Sequence, residues 1–398
     1  MHCPSIRFAG FTDAWEVREF DNLVSRVPSM AEGEPGLPSV EYEDIISGQG
    51  QLNKNIYEKQ NNKRGIYFRP GDILFGKLRP YLQNWLAPNF TGIAVGDWWV
   101  LRPNDANSEF IYALIQSLKY QEVSNLTTGT KMPRSDWNIV SKTPFVVPSQ
   151  MAEQSQIGAT FRNLDRLITL HQRKHDKTVN IKKALIEKMF PKAGEDKPEI
   201  RFAGFTDAWE QRELVDDIIS IQTGTNLLSS SVNTGTPLLK MGNIQRGYFS
   251  LDKLEFLEAN AQVEPDNIVH YGDFFFNTRN TLELVGKGAI WTGNSGKYAF
   301  NSNIARFKFK GIDTTFFNYM YNTKGITEQV HAIAVGTTSV AAVYPRDLYS
   351  LKYFAPQVEE QRKIGSFFTN LDHLITLHQR ELTKLQNIKK ALLEKMFV

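Results

Sequence analysis

Asn370-Leu371-Asp372-His373-Leu374-Ile375-Thr376-Leu377-His378-Gln379-Arg380, followed by Asn387-Ile388-Lys389-Lys390-Ala391-Leu392, belongs to a segment that occurs twice. The earlier copy holds Asn163-Leu164-Asp165, Leu167-Ile168-Thr169-Leu170-His171-Gln172-Arg173 and Asn180-Ile181-Lys182-Lys183-Ala184-Leu185. Gln154 to Phe190 and Gln361 to Phe397 agree at 25 of 37 positions, at an offset of 207. A fixed internal period is read first because it sets the architecture. In the second copy Leu371, Ile375, His378, Leu382, Leu385, Ile388, Leu392 and Met396 recur at steps of three and four, a helical stripe close to a heptad seam. The first copy places Leu164, Ile168, His171, His175, Thr178, Ile181, Leu185 and Met189 there, with a more polar centre. A helix of this length runs roughly 55 Å. Neither helix can bury such a stripe alone, so the two copies are predicted to pack on each other. The pairing residues are then Leu164, Ile168, Ile181, Leu185, Leu371, Ile375, Leu382, Leu385, Ile388 and Leu392.

Orientation follows from connectivity. Pro191 stops the first helix, and a whole domain intervenes before the second. Halves related by a pseudo-twofold axis make the helices antiparallel and set the two domains at opposite ends of a rod. His171 and His378 are expected to pack or hydrogen-bond between helices, since no further ligand repeats around them at metal spacing. Six basic residues between Arg173 and Lys188 stand against Asp176 and Glu187. Such a run is a solvated face, or one that tracks phosphates or a protein partner.

A second repeat opens each half. Ile6-Arg7-Phe8-Ala9-Gly10-Phe11-Thr12-Asp13-Ala14-Trp15-Glu16 returns unchanged as Ile200 to Glu210, at an offset of 194. Between the markers the halves share little, and the second insert is longer by 13 residues. Drift alone would blur both parts evenly, so frame and insert answer to different demands.

Each insert mixes short strand-like runs with glycine and proline punctuation, which predicts an α+β domain on a mostly antiparallel or mixed sheet. The runs are Ile66-Tyr67-Phe68, Ile73-Leu74-Phe75, Ile93-Ala94-Val95 and Trp98 to Leu101, then Phe274-Phe275-Phe276, Ala289-Ile290-Trp291 and Ile304 to Lys310. Helices are expected over Glu109 to Tyr120 and Thr314 to Tyr321. Gly71-Asp72 and Gly272-Asp273 each read as a turn leading into a buried strand.

Basic and polar residues interleave with aromatics, and Arg, Lys, Asn and Gln are the types that pair with base edges or phosphates. Candidate contacts in the first insert are Lys77, Arg79, Tyr81 and Gln83, with Lys131 and Arg134 in Thr128-Gly129-Thr130-Lys131-Met132-Pro133-Arg134. In the second they are Lys240, Asn243, Arg246, Arg279 and Asn280, with Arg346 after the parallel stretch Val335-Gly336-Thr337-Thr338. Strict alternation from Ala305 to Lys310 puts Arg306, Lys308 and Lys310 on one strand face.

Composition sets wider bounds. The 398 residues favour two or more domains, and 41% hydrophobic with 22% charged residues supplies real cores. A net charge of +3 permits a nucleic-acid partner without requiring one. One cysteine, Cys3, allows no intrachain disulfide and no cysteine-held metal, as expected in a reducing cytoplasm. No signal peptide and no bilayer-spanning run is seen. Gly71 to Leu78 follows most of the phosphate-loop pattern but has leucine where a Ser or Thr should reach magnesium. GxGxxG, HExxH, GxSxG and the Pro-Pro-aromatic signature of adenine methyltransferases are absent, so the chain is expected to be non-catalytic, with no metal site.

The Ile6 to Glu16 opening, Gly71-Asp72-Ile73-Leu74-Phe75-Gly76-Lys77-Leu78-Arg79-Pro80-Tyr81, and the helix openings Glu153-Gln154-Ser155-Gln156-Ile157-Gly158 and Glu360-Gln361-Arg362-Lys363-Ile364-Gly365 together resemble type I restriction–modification specificity subunits over essentially the whole chain. The resemblance implies target-recognition domains over 1–152 and 191–358 and spacer helices over 153–190 and 359–398. Each domain would read one half of a split asymmetric site in double-stranded DNA. The helices would space the halves and hold two methyltransferase subunits, with motor–nuclease subunits joining for cleavage. S-adenosylmethionine, ATP and magnesium would act on those partners, and this chain would bind no cofactor. Two other readings are a duplicated coiled-coil adaptor for proteins, and an enzyme working at the Gly71–Lys77 turn.

Overall fold

A computed structural model describes residues 4–59, 63–126, 131–192, 194–233 and 235–397. The chain forms two compact units. Unit 1 is Met1–Lys174 with His378–Val398, and unit 2 is His175–Leu377.

Unit 1 is built on a central antiparallel sheet, ordered Val24–Arg26, Trp98–Pro103, Ile73–Gly76 and Trp85–Leu86. Side chains alternate along a strand. Ile73 and Phe75 therefore join Trp99 and Leu101 in one core, while Leu74 joins Trp98 and Val100 in another. Burial on both faces explains the unbroken apolar runs. A second sheet covers one face, ordered Met30–Ala31, Gly65–Phe68, Gly92–Ala94 and Ser39–Val40, with the last pair parallel. The other face packs against helix Ser108–Leu114, against Ile157 and Phe161, and against Leu392, Met396 and Phe397 from far along the chain. The Phe397 ring lies 5.6 Å from Phe110 and 5.8 Å from Phe161.

Unit 2 repeats this central sheet as Ile218–Thr223, Ile304–Phe309, Phe274–Asn277 and Gly288–Ile290. Phe274 and Phe276 face one core and Phe275 the other. Its second sheet is ordered Ser229–Ser230, Glu255–Leu257, Pro237–Leu239 and Ala299–Phe300, so a different strand takes the second interior position. It also carries a ribbon of Arg279–Asn280, Ala341–Ala342 and Val335–Gly336. The helix expected over Glu109 to Tyr120 is two helices, Ser108–Leu114 and Leu118–Ser124, and Ser117 caps the second by accepting from the Tyr120 amide. Arg306, expected beside Lys308 on one strand face, is 3% exposed. It lies between the sheets, donating to the Ile268 and Asp266 carbonyls and to Asp273. A fixed carboxylate and two carbonyls replace the water it would lose.

The repeated frame motifs hold each insert closed. Strand Glu16–Glu19 pairs with Pro144–Val147, and Glu210–Glu213 with Lys352–Ala355. Glu153 takes both arms of Arg7 at 2.6 and 2.8 Å, and Glu360 takes both arms of Arg201 at 2.7 and 2.6 Å. The next residue does a second job: Gln154 accepts from the Asn107 amide and donates to the Pro148 carbonyl. Gln361 does the same between Asp313 and Pro356. Asn107 and Asp313 are in turn the N-caps of the helices that cover the central sheets. The Glu-Gln pair therefore ties the long helix, the covering helix and the frame strand at one point in each unit.

The glycine closing that motif marks the closest approach. A Cβ on Gly158 would sit 2.6 Å from the Phe110 amide nitrogen, whereas on Gly365 the nearest atom, the Phe316 nitrogen, would be at 3.1 Å. Alanine at a helical glycine gains about 1 kcal/mol of propensity, which offsets a small clash but not a backbone overlap costing ~3 kcal/mol. Gly365→Ala is expected to be near neutral and Gly158→Ala to destabilise unit 1 by about 2 kcal/mol. Urea unfolding of the full chain checks this, and equal effects at both sites would contradict it.

The long helices run Met151–Met189 and Val358–Met396. In unit 1 the contacts between them proceed in opposite chain directions: Phe161 with Phe397, Asp165 with Lys389, His171 with His378. In unit 2 Lys182 meets Asp372 and Phe190 meets Phe368, again in opposite directions. The His171 and His378 Nδ1 atoms are 3.3 Å apart, a hydrogen-bonding distance. Two expected pairing residues do not close the seam, since Ile181 and Ile388 are 40% and 38% exposed. Lys182 and Lys389 occupy the inward step instead. Lys389 reaches Asp165 at 2.6 Å and Gln116 at 2.7 Å; Lys182 reaches Asp372 at 2.5 Å and lies over the Tyr319 ring. A lysine stem covers apolar surface while its charge meets a carboxylate, and that pairing turns the neighbouring isoleucine outward. Burial raises the pKa of Asp165, with Lys389 opposing the rise.

Candidate nucleic-acid interface

In unit 1 the candidate residues converge at the corner where strand Ile73–Gly76 ends. Asp72 opens that strand, accepting from the Arg69 amide and from both arms of Arg102 at 2.7 Å. This confirms the Gly-Asp turn, and the residues that would form a phosphate loop are strand. Beyond Gly76 the chain is pinned from two sides: the Lys77 amide donates to Asp97 and the Arg79 amide to Pro133, while the Lys77 carbonyl accepts from Ser135. Leu78 forms a bridge with Arg134. Lys77 and Arg134 share the Asp97 carboxylate at 3.6 and 3.0 Å, so two cations face one anion. The Tyr42 hydroxyl donates to the Asp97 carbonyl and accepts from the Leu78 amide, and burial pushes its ionisation well above the ordinary tyrosine range. Tyr81 stands out from this corner, and Lys131 and Met132 are exposed beside Pro133. Thr128, Gly129 and Thr130 lie outside the described residues.

Unit 2 has the same corner. Asp273 opens strand Phe274–Asn277, accepting from the His270 amide and from Arg306. The Thr278 amide donates to Asn303 and its carbonyl accepts from Val343, as at Lys77. Arg279 and Asn280 follow directly and pair with Ala341–Ala342. Arg246 approaches from another turn, donating to the Glu283 carbonyl, beside His331. Lys287 donates to Gln245, and its pKa is lowered first by burial and then by the Arg246 charge. The remaining candidates are placed differently. Asn243 is buried, accepting from the Lys240 amide and donating to the Ser250 and Lys253 carbonyls, which makes it the lock of its own turn. Lys240 is paired to Glu255 at 2.5 Å and with Ser229 holds that carboxylate below its usual range. Arg346 lies in the Pro345–Ser350 turn against Tyr344 and Asp347.

A profile of the type I restriction modification DNA specificity domain matches residues 39–179. Two Methanocaldococcus jannaschii chains are similar. The putative type I restriction enzyme MjaX specificity subunit is 26% identical over 198 residues, 48% of this chain and 45% of that one. The type I restriction enzyme MjaVIII specificity subunit is 23% identical over 291 residues, 70% of this chain and 68% of that one. The match thus spans about half the length of the first and two thirds of the second. The crystal structure of a type I restriction–modification system S subunit from M. genitalium shares the fold, at a TM-score of 0.65 and 14% identity, covering 100% of this chain and 99% of that one. In sequence the chain is similar to type I restriction–modification specificity subunits, with the domain match lying over residues 39–179.

Among the described residues no group of three or more His, Cys, Asp or Glu is placed to hold a metal, and no helix is long and apolar enough to cross a membrane. Thr278 belongs to the polar stretch Asn277-Thr278-Arg279-Asn280, and the register of Gly272-Asp273 on Gly71-Asp72 aligns it with Lys77, whereas Lys287 lies outside every stretch that the sequence singles out. Nothing local marked Lys287, which is drawn to Arg246 only by folding.

Proposed function

We propose that the chain supplies the DNA address of a type I restriction–modification complex, each unit reading one half of a bipartite asymmetric site. The observation that carries this reading is the shared corner: one central sheet, pinned alike in both units, presents Lys77, Arg79 and Arg134 in one and Arg279 and Asn280 in the other. Positions fixed by backbone bonds with different side chains on them are what two different half-sites require. The opposite-running helix contacts support one antiparallel pair that fixes the distance between readers, and readers so held favour half-sites about 10 base pairs apart. The outward faces of the repeated helices would dock two methyltransferase subunits, with motor–nuclease subunits joining for cleavage. S-adenosylmethionine, ATP and magnesium would act on those partners. The complex assembled with its methyltransferase subunits should bind its own site in preference to a scrambled duplex, and affinity should fall steeply with salt as phosphate counterions are released. Equal binding to the scrambled duplex would refute the reading and leave a protein adaptor as the alternative.

A further inference from the structure

Among the described residues, Arg79 and Gln83 are the non-glycine residues with left-handed backbone, at φ of 49° and 56°. Each such residue costs about 1–3 kcal/mol and persists only where its surroundings impose it. Here they flank one turn, Pro80–Leu82, and backbone bonds fix both ends. Arg79 donates to Pro133, Leu82 to Arg79 and Gln83 to Pro80, while the Gln83 carbonyl accepts from Gly48. Pro80 is buried and fixes its own φ. The side chains held out by this stiff turn are apolar: Tyr81 is 57% exposed and Leu82 39%. Exposed Met132 adjoins Pro133, the residue that anchors Arg79. Lys77, Arg79, Lys131 and Arg134 lie around them, which selects a polyanion as the occupant over an apolar protein surface.

Unit 2 repeats the order independently. Its polar pair Arg279–Asn280 is followed by exposed Leu282, whose amide donates to Thr338, close in sequence to exposed Val340. Basic residues against phosphates with an apolar tip beyond them form the arrangement that parts stacked bases.

We propose that Tyr81 and Leu82 form a wedge that enters the duplex at the half-site held by unit 1 and parts one base step. The inference rests on the DNA reading proposed above. Unstacking a step costs a few kcal/mol, and a turn already set before binding adds no ordering cost to it. The Tyr81 ring stacks on a base face and Leu82 fills the remaining gap.

The test uses the complex assembled with its methyltransferase subunits, on a duplex carrying the site defined by sequencing methylated bases. 2-Aminopurine is placed at each purine in turn across the unit 1 half. In the wild type one step other than the methylated base should brighten at least threefold on binding. Tyr81→Ala should abolish that brightening, Leu82→Ala should at least halve it, and Tyr81→Phe, which keeps the ring, should restore it. Any signal at the methylated base, which the partner extrudes for its chemistry, should be the same in all four proteins and shows that each is folded and bound. A wild type that binds selectively yet brightens no other step overturns the wedge and leaves the reading intact. So does a Tyr81→Ala protein that keeps the signal, or a Tyr81→Phe protein that loses it, which would make the contact one of the hydroxyl. A wild type that does not tell its site from a scrambled duplex overturns the reading itself.

Discussion

On the proposed reading, exchange of residues 20–150 for the insert of a type I specificity subunit is expected to replace one half of the methylated sequence and leave the other half unchanged. The boundaries follow from the packing. Residue 20 begins just after frame strand Glu16–Glu19, and residue 150 ends just before the long helix. The incoming insert must meet Trp15, Ile157, Phe161, Met396 and the Gln154 amide, all of which the frame retains. The core of unit 2, from Met189 to Phe368, contains no residue of the exchanged segment. Its corner at Thr278 to Asn280 is therefore undisturbed. Each base pair that ceases to match costs roughly 1–3 kcal/mol, so a new half differing at about three pairs should shift preference by at least about a hundredfold. Sequencing methylated bases in cells carrying the hybrid reads both halves at once. A change in both halves would mean that the units do not read separately.

What was legible in the chain beforehand divides along the same line as frame and insert. The long helices, Met151–Met189 and Val358–Met396, carry a legible pattern, because a stripe repeated twice at one offset averages out local noise. The central strands were found because runs such as Phe274-Phe275-Phe276, buried on both faces, are apolar throughout. Pattern failed where one polar contact overrode it. Ile388 fits the stripe as well as Lys389 does, and only the position of Asp165, more than two hundred residues away, decides which faces inward. Arg306 fits a solvated strand face, but Asp273 and two carbonyls draw it between the sheets. Asn243 is a polar residue in a turn whether it meets a base or closes its own loop, and the Ser250 and Lys253 carbonyls settle the matter. The corner that gathers Lys77, Arg79 and Arg134 depends on a bridge between Leu78 and Arg134, a pairing that no local periodicity encodes.

The frame motif has its own energetic signature. Glu153→Ala should lower the stability of unit 1 by about 4 kcal/mol, and Glu360→Ala that of unit 2 by about 3 kcal/mol. Both carboxylates are buried, and each holds an arginine through two short bonds. Removing one partner of such a pair strands the other without water and costs ~3–5 kcal/mol. The difference between the sites comes from a third group. The Trp15 indole donates to Glu153 at 3.2 Å, whereas the matching Trp209 indole has no hydrogen-bond partner in the native unit. Truncating Glu153 therefore orphans a buried donor, worth about 1 kcal/mol more, and truncating Glu360 does not. Adding Arg7→Ala to Glu153→Ala should recover part of the loss, because an absent pair is cheaper than a broken one. Urea unfolding combined with amide exchange resolved by peptide assigns each change to its unit. Equal losses at the two sites would remove Trp15 from the account, and a double variant no better than Glu153→Ala alone would show that the stranded charge is not what destabilises the unit.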